Sequence, residues 1–200
     1  ASAKALRTIQ QTNLPSIDPS RRVLGVIRPT VECIGDLTQN RHVGILATSG
    51  TIKSESYLLE IEKLFPDVTV TGEACPMWVP LVENNEYDSE GADYFVQKHI
   101  RQLLAKDPDI DTLILGCTHY PLLIEKIRQF TPSHIRIVPQ GEYVAQSLQN
   151  YFRRHPEMDN RCTKEGTCRF LTTESETKFE ESASIFLQQE DIHVERIILE

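Results

Sequence analysis

Residues 112–127 read TLILGCTHYPLLIEKI, and the fold turns on how that stretch is parsed. Thr112 to Gly116 form a short apolar run, the pattern of a strand buried on both faces. Cys117, Thr118, His119 and Tyr120 then occupy a turn. Pro121 suits the first turn of a helix that runs to about Phe130. Strand, turn and helix in that order make one unit of a parallel α/β sheet.

The same alternation extends in both directions. Upstream, residues 1–11 (ASAKALRTIQQ) predict a helix and residues 23–27 (VLGVI) a buried strand stopped by Pro29. A short helix over VECIGDL follows, then a strand over residues 42–48 (HVGILAT). Ile52, Leu58, Leu59, Ile61, Leu64 and Phe65 give a helical stripe ending at Pro66. Residues 68–74 (VTVTGEA) read as a strand and ADYFVQKHIRQLL as a helix. Downstream, IRIV is a strand, EYVAQSLQNYFRR a helix, CRFLTT a strand, ETKFEESASIFLQQ a helix and HVERIIL a strand. Strands separated by helices of ten or more residues require parallel crossovers, so the fold class is a doubly wound α/β architecture. The polar, breaker-rich residues 153–166 read as a solvated loop.

Composition narrows the function. The 200 residues carry 21 Lys and Arg against 29 Asp and Glu, a net charge of -8 that offers no general attraction to nucleic acid or anionic membranes. No apolar run approaches the roughly 20 residues of a membrane-spanning helix. The five cysteines, at 33, 75, 117, 162 and 168, include no CxxC pair. That spacing argues for a reducing cytoplasm and against a metal centre. Cys162 and Cys168 read as two loop thiols.

Three loops carry residues capable of chemistry. In a parallel sheet ligands bind at the carboxyl ends of the strands, which aims Cys117 into the crevice. A helix N-terminus there would favour its thiolate, and His119 could exchange protons with the sulfur or a substrate. A buried structural cysteine fits the same position. TSGTIKS (residues 48–54) offers the hydroxyls of Thr48 and Thr51 beside Gly50, as an anion cradle or an ordinary helix N-cap. In ACPMWVPLVENNEYD (residues 74–88), Glu83 could be a crevice carboxylate polarising His119 or a solvated surface residue, and Trp78 reads as packing.

LILGCTHYPLL, preceded in order by ATSGTIKS and ACPMWVPLVE, resembles the second catalytic half of the glutamate racemase family. The likeness runs from ASAKALRTI to TESETKFEESASIFL. The GCTH motif favours glutamate, since aspartate racemases typically have Glu at the position of His119. The resemblance implies two α/β domains related by a pseudo-twofold, with residues 30–138 forming the second and residues 1–29 and 139–200 parts of the first. It also implies a cofactor-independent, metal-free two-thiol mechanism that interconverts L- and D-glutamate for peptidoglycan. Cys117 then acts on L-glutamate with His119 assisting and Glu83 supporting the histidine, while Thr118, His119, Thr48 and Thr51 contact substrate. The implied partner is glutamate itself, dimerisation is common in such racemases, and the implied location is cytoplasmic.

The departures are equally specific. The family's DSGVGG-like segment, its Tyr-Gly turn and its Cys-Asn-Thr motif with the first catalytic cysteine do not occur in this sequence, and Ala1-Ser2-Ala3 resembles the residues just after Cys-Asn-Thr. Cys33, in a predicted helix, is no ready substitute. VPQGEYVA replaces a more usual acidic-Ser version, and GVIRPT also departs from the usual pattern. With one base and several substrate ligands outside it, the chain is expected to turn over little. An aspartate- or hydantoin-type racemase and a non-catalytic gyrase-binding module are the rival readings.

Overall fold

The computed structural model describes residues 2–199. Ala1, the first residue of the N-terminal helix expected from sequence, lies outside the described residues. The chain divides into two compact units between Tyr151 and Phe152.

In chain order the first unit contains α1 (Ser2–Thr8), a π-helical turn (Ile9–Asn13), α2 (Leu14–Ile17), α3 (Ile27–Glu32), α4 (Ile34–Leu37), β1 (His42–Ala47), α5 (Ser49–Lys53), α6 (Ser56–Leu64) and β2 (Thr69–Ala74). It continues with α7 (Trp78–Glu83), α8 (Glu90–Lys106), β3 (Thr112–Leu115), a 3-10 turn (Tyr120–Leu123), α9 (Ile124–Phe130), β4 (Arg136–Pro139) and α10 (Gly141–Arg154), which runs across the division.

The four strands form one parallel sheet in the order β2-β1-β3-β4. From Val43 onward β1 is buried throughout, as is β3, whereas the edge strands β2 and β4 are only partly covered. That explains why β3 reads as a continuous apolar run: a central strand covered on both faces has no solvent side to mark with polar residues. Val31 and Ile34 from α3 and α4, with Tyr57 and Ile61 from α6, pack with Val43, Ile45 and Ile114 into one hydrophobic cluster. On α8, Val96, Ile100 and Leu103 are buried, and Ser89 caps its first turn by accepting from the Ala92 N–H at 3.2 Å.

The order of the strands locates the site. From β1 the chain moves outward to β2 and then returns to the other side of β1 to lay down β3. The carboxyl ends of β1 and β3 therefore flank the point where the winding reverses, and there the departing loops leave a crevice.

Three expectations are corrected. Residues 23–27 form no strand; Leu24 is exposed, and the Val23 carbonyl accepts from the Gln10 side chain at 2.6 Å instead of joining a ladder. An apolar run becomes a strand only where a neighbour completes its hydrogen bonds, and none of the described strands pairs here. The helix read through Ile52 to Phe65 is two helices, broken at Glu55, whose backbone is left-handed at φ 53°. The loop at residues 153–166 contains the end of α10 and a one-turn helix, α11 (Pro156–Asp159), because Pro156 is pre-set for a first helical turn.

The second unit continues with β5 (Phe170–Thr172), α12 (Glu176–Leu187) and β6 (Val194–Arg196). β5 and β6 pair in parallel, with α12 as the crossover. Glu180 of α12 accepts the Val194 N–H at 3.1 Å, tying the helix to the strand.

Candidate functional site

The loops after β1, β2 and β3 all leave the same end of the sheet. Two of them are fastened to β1: the Cys75 N–H donates to the Ala47 carbonyl and the Gly116 N–H to the Leu46 carbonyl, each at 2.8 Å. The turn that carries Cys117 is thereby registered against the turn that carries Thr48.

After β1, Thr48 is the N-cap of α5. Its Oγ1 accepts the Thr51 N–H at 3.3 Å and lies 3.0 Å from the Thr51 hydroxyl. The cap and the pair of hydroxyls are one structure, so the N-cap reading and the ligand reading of this loop are compatible. After β3, Cys117 is half-buried, and its Sγ is 3.8 Å from Nδ1 of His119. The exposed Thr118 hydroxyl is 3.5 Å from the same nitrogen.

Glu83, at the end of α7, reaches Nε2 of His119 at 2.5 Å. A carboxylate only accepts, so Nε2 carries the hydrogen, and in the neutral ring Nδ1 turns its lone pair toward the sulfur. Carboxylate, imidazole and thiol thus stand in line.

The turn rests on an aromatic floor. Tyr120 is wholly buried, donates to the Cys75 carbonyl at 3.3 Å and meets the Trp78 ring edge-on with centroids 4.7 Å apart. Trp78 is wholly buried too and donates from Nε1 to the Phe95 carbonyl, confirming it as packing. α7 was not foreseen from ACPMWVPLVE, where two prolines obscured a helical turn. That helix is what aims Glu83 at His119.

The electrostatics of Cys117 correct the expectation of a readily formed thiolate. Burial pushes the thiol up, and the N–H groups of His119, Tyr120 and Thr118 pull it only part of the way back. A 3-10 turn follows the cysteine and leads directly into α9. His119 Nδ1 is the ring nitrogen beside this sulfur. Cys75 is wholly buried and its thiol is pushed up by burial, while Cys33 donates to the Pro29 carbonyl from between α3 and α4.

The sequence reading missed two polar residues here. Tyr57 of α6 donates to Oε1 of Gln140 at 2.6 Å, and Gln140 Nε2 donates to the Leu115 carbonyl at 2.8 Å. The only sequence signal was a polar residue directly after a strand end. Among the described residues, His42, Asp107 and Asp109 are the group whose ligand atoms lie close enough together to hold a cation. They sit at the opposite end of the sheet, where the Asp107 oxygens already accept from His42, Thr71 and the Asp109 N–H.

Residues 20–147 match the Asp/Glu/Hydantoin racemase family. The chain belongs to that family. It is 35% identical, over all 200 residues, to a glutamate racemase of Lactiplantibacillus plantarum, of which it covers 70%. It is 38% identical over 180 residues to one of Streptococcus agalactiae, covering 88% of this chain and 66% of the relative. The chain thus spans about two thirds of the length of these racemase relatives. Among solved structures, a glutamate racemase isoform of Bacillus anthracis superposes with a TM-score of 0.85 at 31% identity, over 99% of this chain and 70% of that one. The glutamate racemase of Francisella tularensis in complex with D-glutamate superposes with a TM-score of 0.79 at 26% identity, over 98% and 71%. The racemase fold is therefore shared along nearly all of the described residues.

Proposed function

We propose that the protein is a cofactor-independent glutamate racemase and that Cys117 is its base toward L-glutamate. The observation that carries this reading is the line from Glu83 through His119 to the Cys117 sulfur at the reversal point of the sheet. His119 Nδ1 takes the thiol proton, and the thiolate removes the α-proton of L-glutamate. The electron pair is left on Cα, delocalised into the carboxylate, and a second thiol on the opposite face returns a proton there, inverting the centre. Removing so weakly acidic a proton demands a dry, preorganised site, which a half-buried sulfur over an aromatic floor begins to provide. The hydroxyls of Thr48, Thr51 and Thr118 are assigned to holding the substrate.

The second thiol is assigned to the Cys-Asn-Thr motif of the family, so the 200 residues by themselves turn over little glutamate. Residues 30–138 are assigned to one domain of the family's two-domain fold, and residues 1–29 and 139–200 to parts of the other. Confinement of the four-stranded sheet to residues between His42 and Pro139 supports the first assignment. D-glutamate for peptidoglycan is the product, made in the cytoplasm. No helix among the described residues is long and apolar enough to cross a membrane.

The test joins the N-terminal segment of the Lactiplantibacillus plantarum relative to this chain and compares racemisation of L-glutamate with that of L-aspartate. Turnover of glutamate in preference to aspartate, its loss in Cys117→Ala, and little turnover by the 200 residues alone are expected. Preference for aspartate, or full activity without Cys117, would sink the proposal.

A further inference from the structure

β3 ends two residues before Cys117, and its last residue, Leu115, stands opposite Pro139 of β4. Proline has no N–H, so the ladder is short of a donor at this point. The Leu115 carbonyl receives the side-chain amide of the next residue, Gln140, at 2.8 Å. The other end of that amide is also engaged: Oε1 accepts from the Tyr57 hydroxyl at 2.6 Å and from the Thr30 hydroxyl at 3.2 Å. Two hydroxyls need the oxygen and a carbonyl needs the nitrogen, so one orientation of the amide satisfies all three. Thr30, Tyr57 and Leu115 are each at most 4% exposed, which leaves water little part in replacing these bonds.

Tyr57 has a second contact with the same turn. A Cβ built on Gly116 would lie 3.3 Å from Cε2 of the Tyr57 ring, so the ring packs against the peptide that leads into Cys117. Carbonyl and peptide on the approach to the cysteine are thus held from two sides by one hydrogen-bonded pair.

We infer that Gln140, locked by Tyr57 and Thr30, is a positioning residue that sets how deeply the Cys117 sulfur sits beside His119. It acts through Leu115 and Gly116 and does not touch the reacting atoms. The inference rests on Cys117 being the reacting thiol, as proposed above. Because burial governs the thiol's proton affinity, releasing the clamp exposes the sulfur and makes it ionise at lower pH. Among the described residues, the titratable groups that bear on the sulfur are His119 on its own turn, Tyr57 on α6, Cys75 after β2 and Tyr120, and Gln140→Leu leaves all four in place.

The experiment follows iodoacetamide alkylation of Cys117 across pH in the 200-residue chain, with each cysteine resolved by peptide mass spectrometry. Gln140→Leu should raise the rate at neutral pH about fivefold, the equilibrium weight of one hydrogen bond, and move the midpoint to lower pH, while Cys75 stays protected. Tyr57→Phe keeps the ring and loses one donor; it should give a smaller change of the same sign and add nothing in the Gln140→Leu background. An unchanged rate and midpoint in both variants would overturn the inference. So would Cys75 becoming reactive together with Cys117, since Gln140 would then be a general support of the fold. Alkylation requires no substrate, so a failure of the glutamate assignment would leave this result readable.

Discussion

Glu83 and His119 are 36 residues apart in the chain, yet Oε1 of one and Nε2 of the other are 2.5 Å apart. The carboxylate therefore fixes the tautomer of the imidazole and, with it, the nitrogen that faces the sulfur. In Glu83→Gln the side-chain amide can accept or donate, and that constraint is lost. Nitrogen-15 NMR of His119 at alkaline pH should show hydrogen on Nε2 in the parent and a mixture in the variant. A parent that carries hydrogen on Nδ1 would contradict the arrangement. In the chimeric enzyme His119→Asn should lower turnover about 100-fold, at the lower end of general acid-base effects.

Burial pushes the Cys117 thiol up, against the N–H groups of its turn. Its alkylation in the free protein should accordingly rise only at pH above the ordinary thiol range, about 8.5, and lag behind the exposed Cys162 and Cys168 in the same sample. Cys75, wholly buried, should remain unreacted until the protein unfolds. Rapid alkylation of Cys117 at pH 6 would show that the N–H groups of the turn outweigh burial.

The His42–Asp107 pair predicts a two-sided dependence of stability on pH. The hydrogen bond to Asp107, together with its charge and those of Asp109 and Asp111, raises His42 above its ordinary value, against burial. This contribution is complete below about pH 6.5 and is lost as pH rises through the raised value. Burial pushes Asp107 up, but the hydrogen bonds of His42, the Asp109 N–H and Thr71, with the charge on His42, hold it below its ordinary value. Its contribution is complete above about pH 3.9 and is lost as pH falls through the depressed value. Thermal melts from pH 3 to 9 should show His42→Ala flattening the alkaline limb and Asp107→Asn the acid limb. Parallel curves for parent and variants would refute the linkage.

Two glycines near the site should respond oppositely to alanine. At Gly116 a Cβ would come within 2.9 Å of the Ala47 Cβ and 3.3 Å of the Leu46 carbonyl oxygen, neither of which is a flexible chain end. Gly116→Ala should cost about 1–3 kcal/mol, as overpacking does. At Gly50, exposed in α5, a Cβ meets nothing within 4 Å. Gly50→Ala should add about 0.5–1 kcal/mol through helix propensity. Urea melts of the two variants measure both.

The loops bearing Thr48 and Cys117 could be recognised from sequence because each lies directly between an apolar strand and a helix, a local pattern. The strand expected at residues 23–27 was misread because pairing is not local: the run has the right composition, and none of the described strands lies beside it. Glu83 could be named, but the helix that aims it could not. Pro80 within WVPLVE reads as a breaker, although its place in the first turn of α7 costs no hydrogen bond. Gln140 escaped notice for a different reason. Its three partners come from α3, α6 and β3, and no spacing along the chain connects them.

The amino-acid sequence by itself determined the class of fold, the succession of parallel strands, and the turn on which the cysteine, threonine and histidine stand together, because each depends on residues within a few positions of one another. Only the tertiary structure decided which nitrogen of His119 faces the sulfur, that burial outweighs the N–H groups of the turn at Cys117, and that Gln140 closes the end of β3. Those outcomes depend on desolvation and on hydrogen bonds between residues tens of positions apart, and both come into being only when the sheet has been assembled.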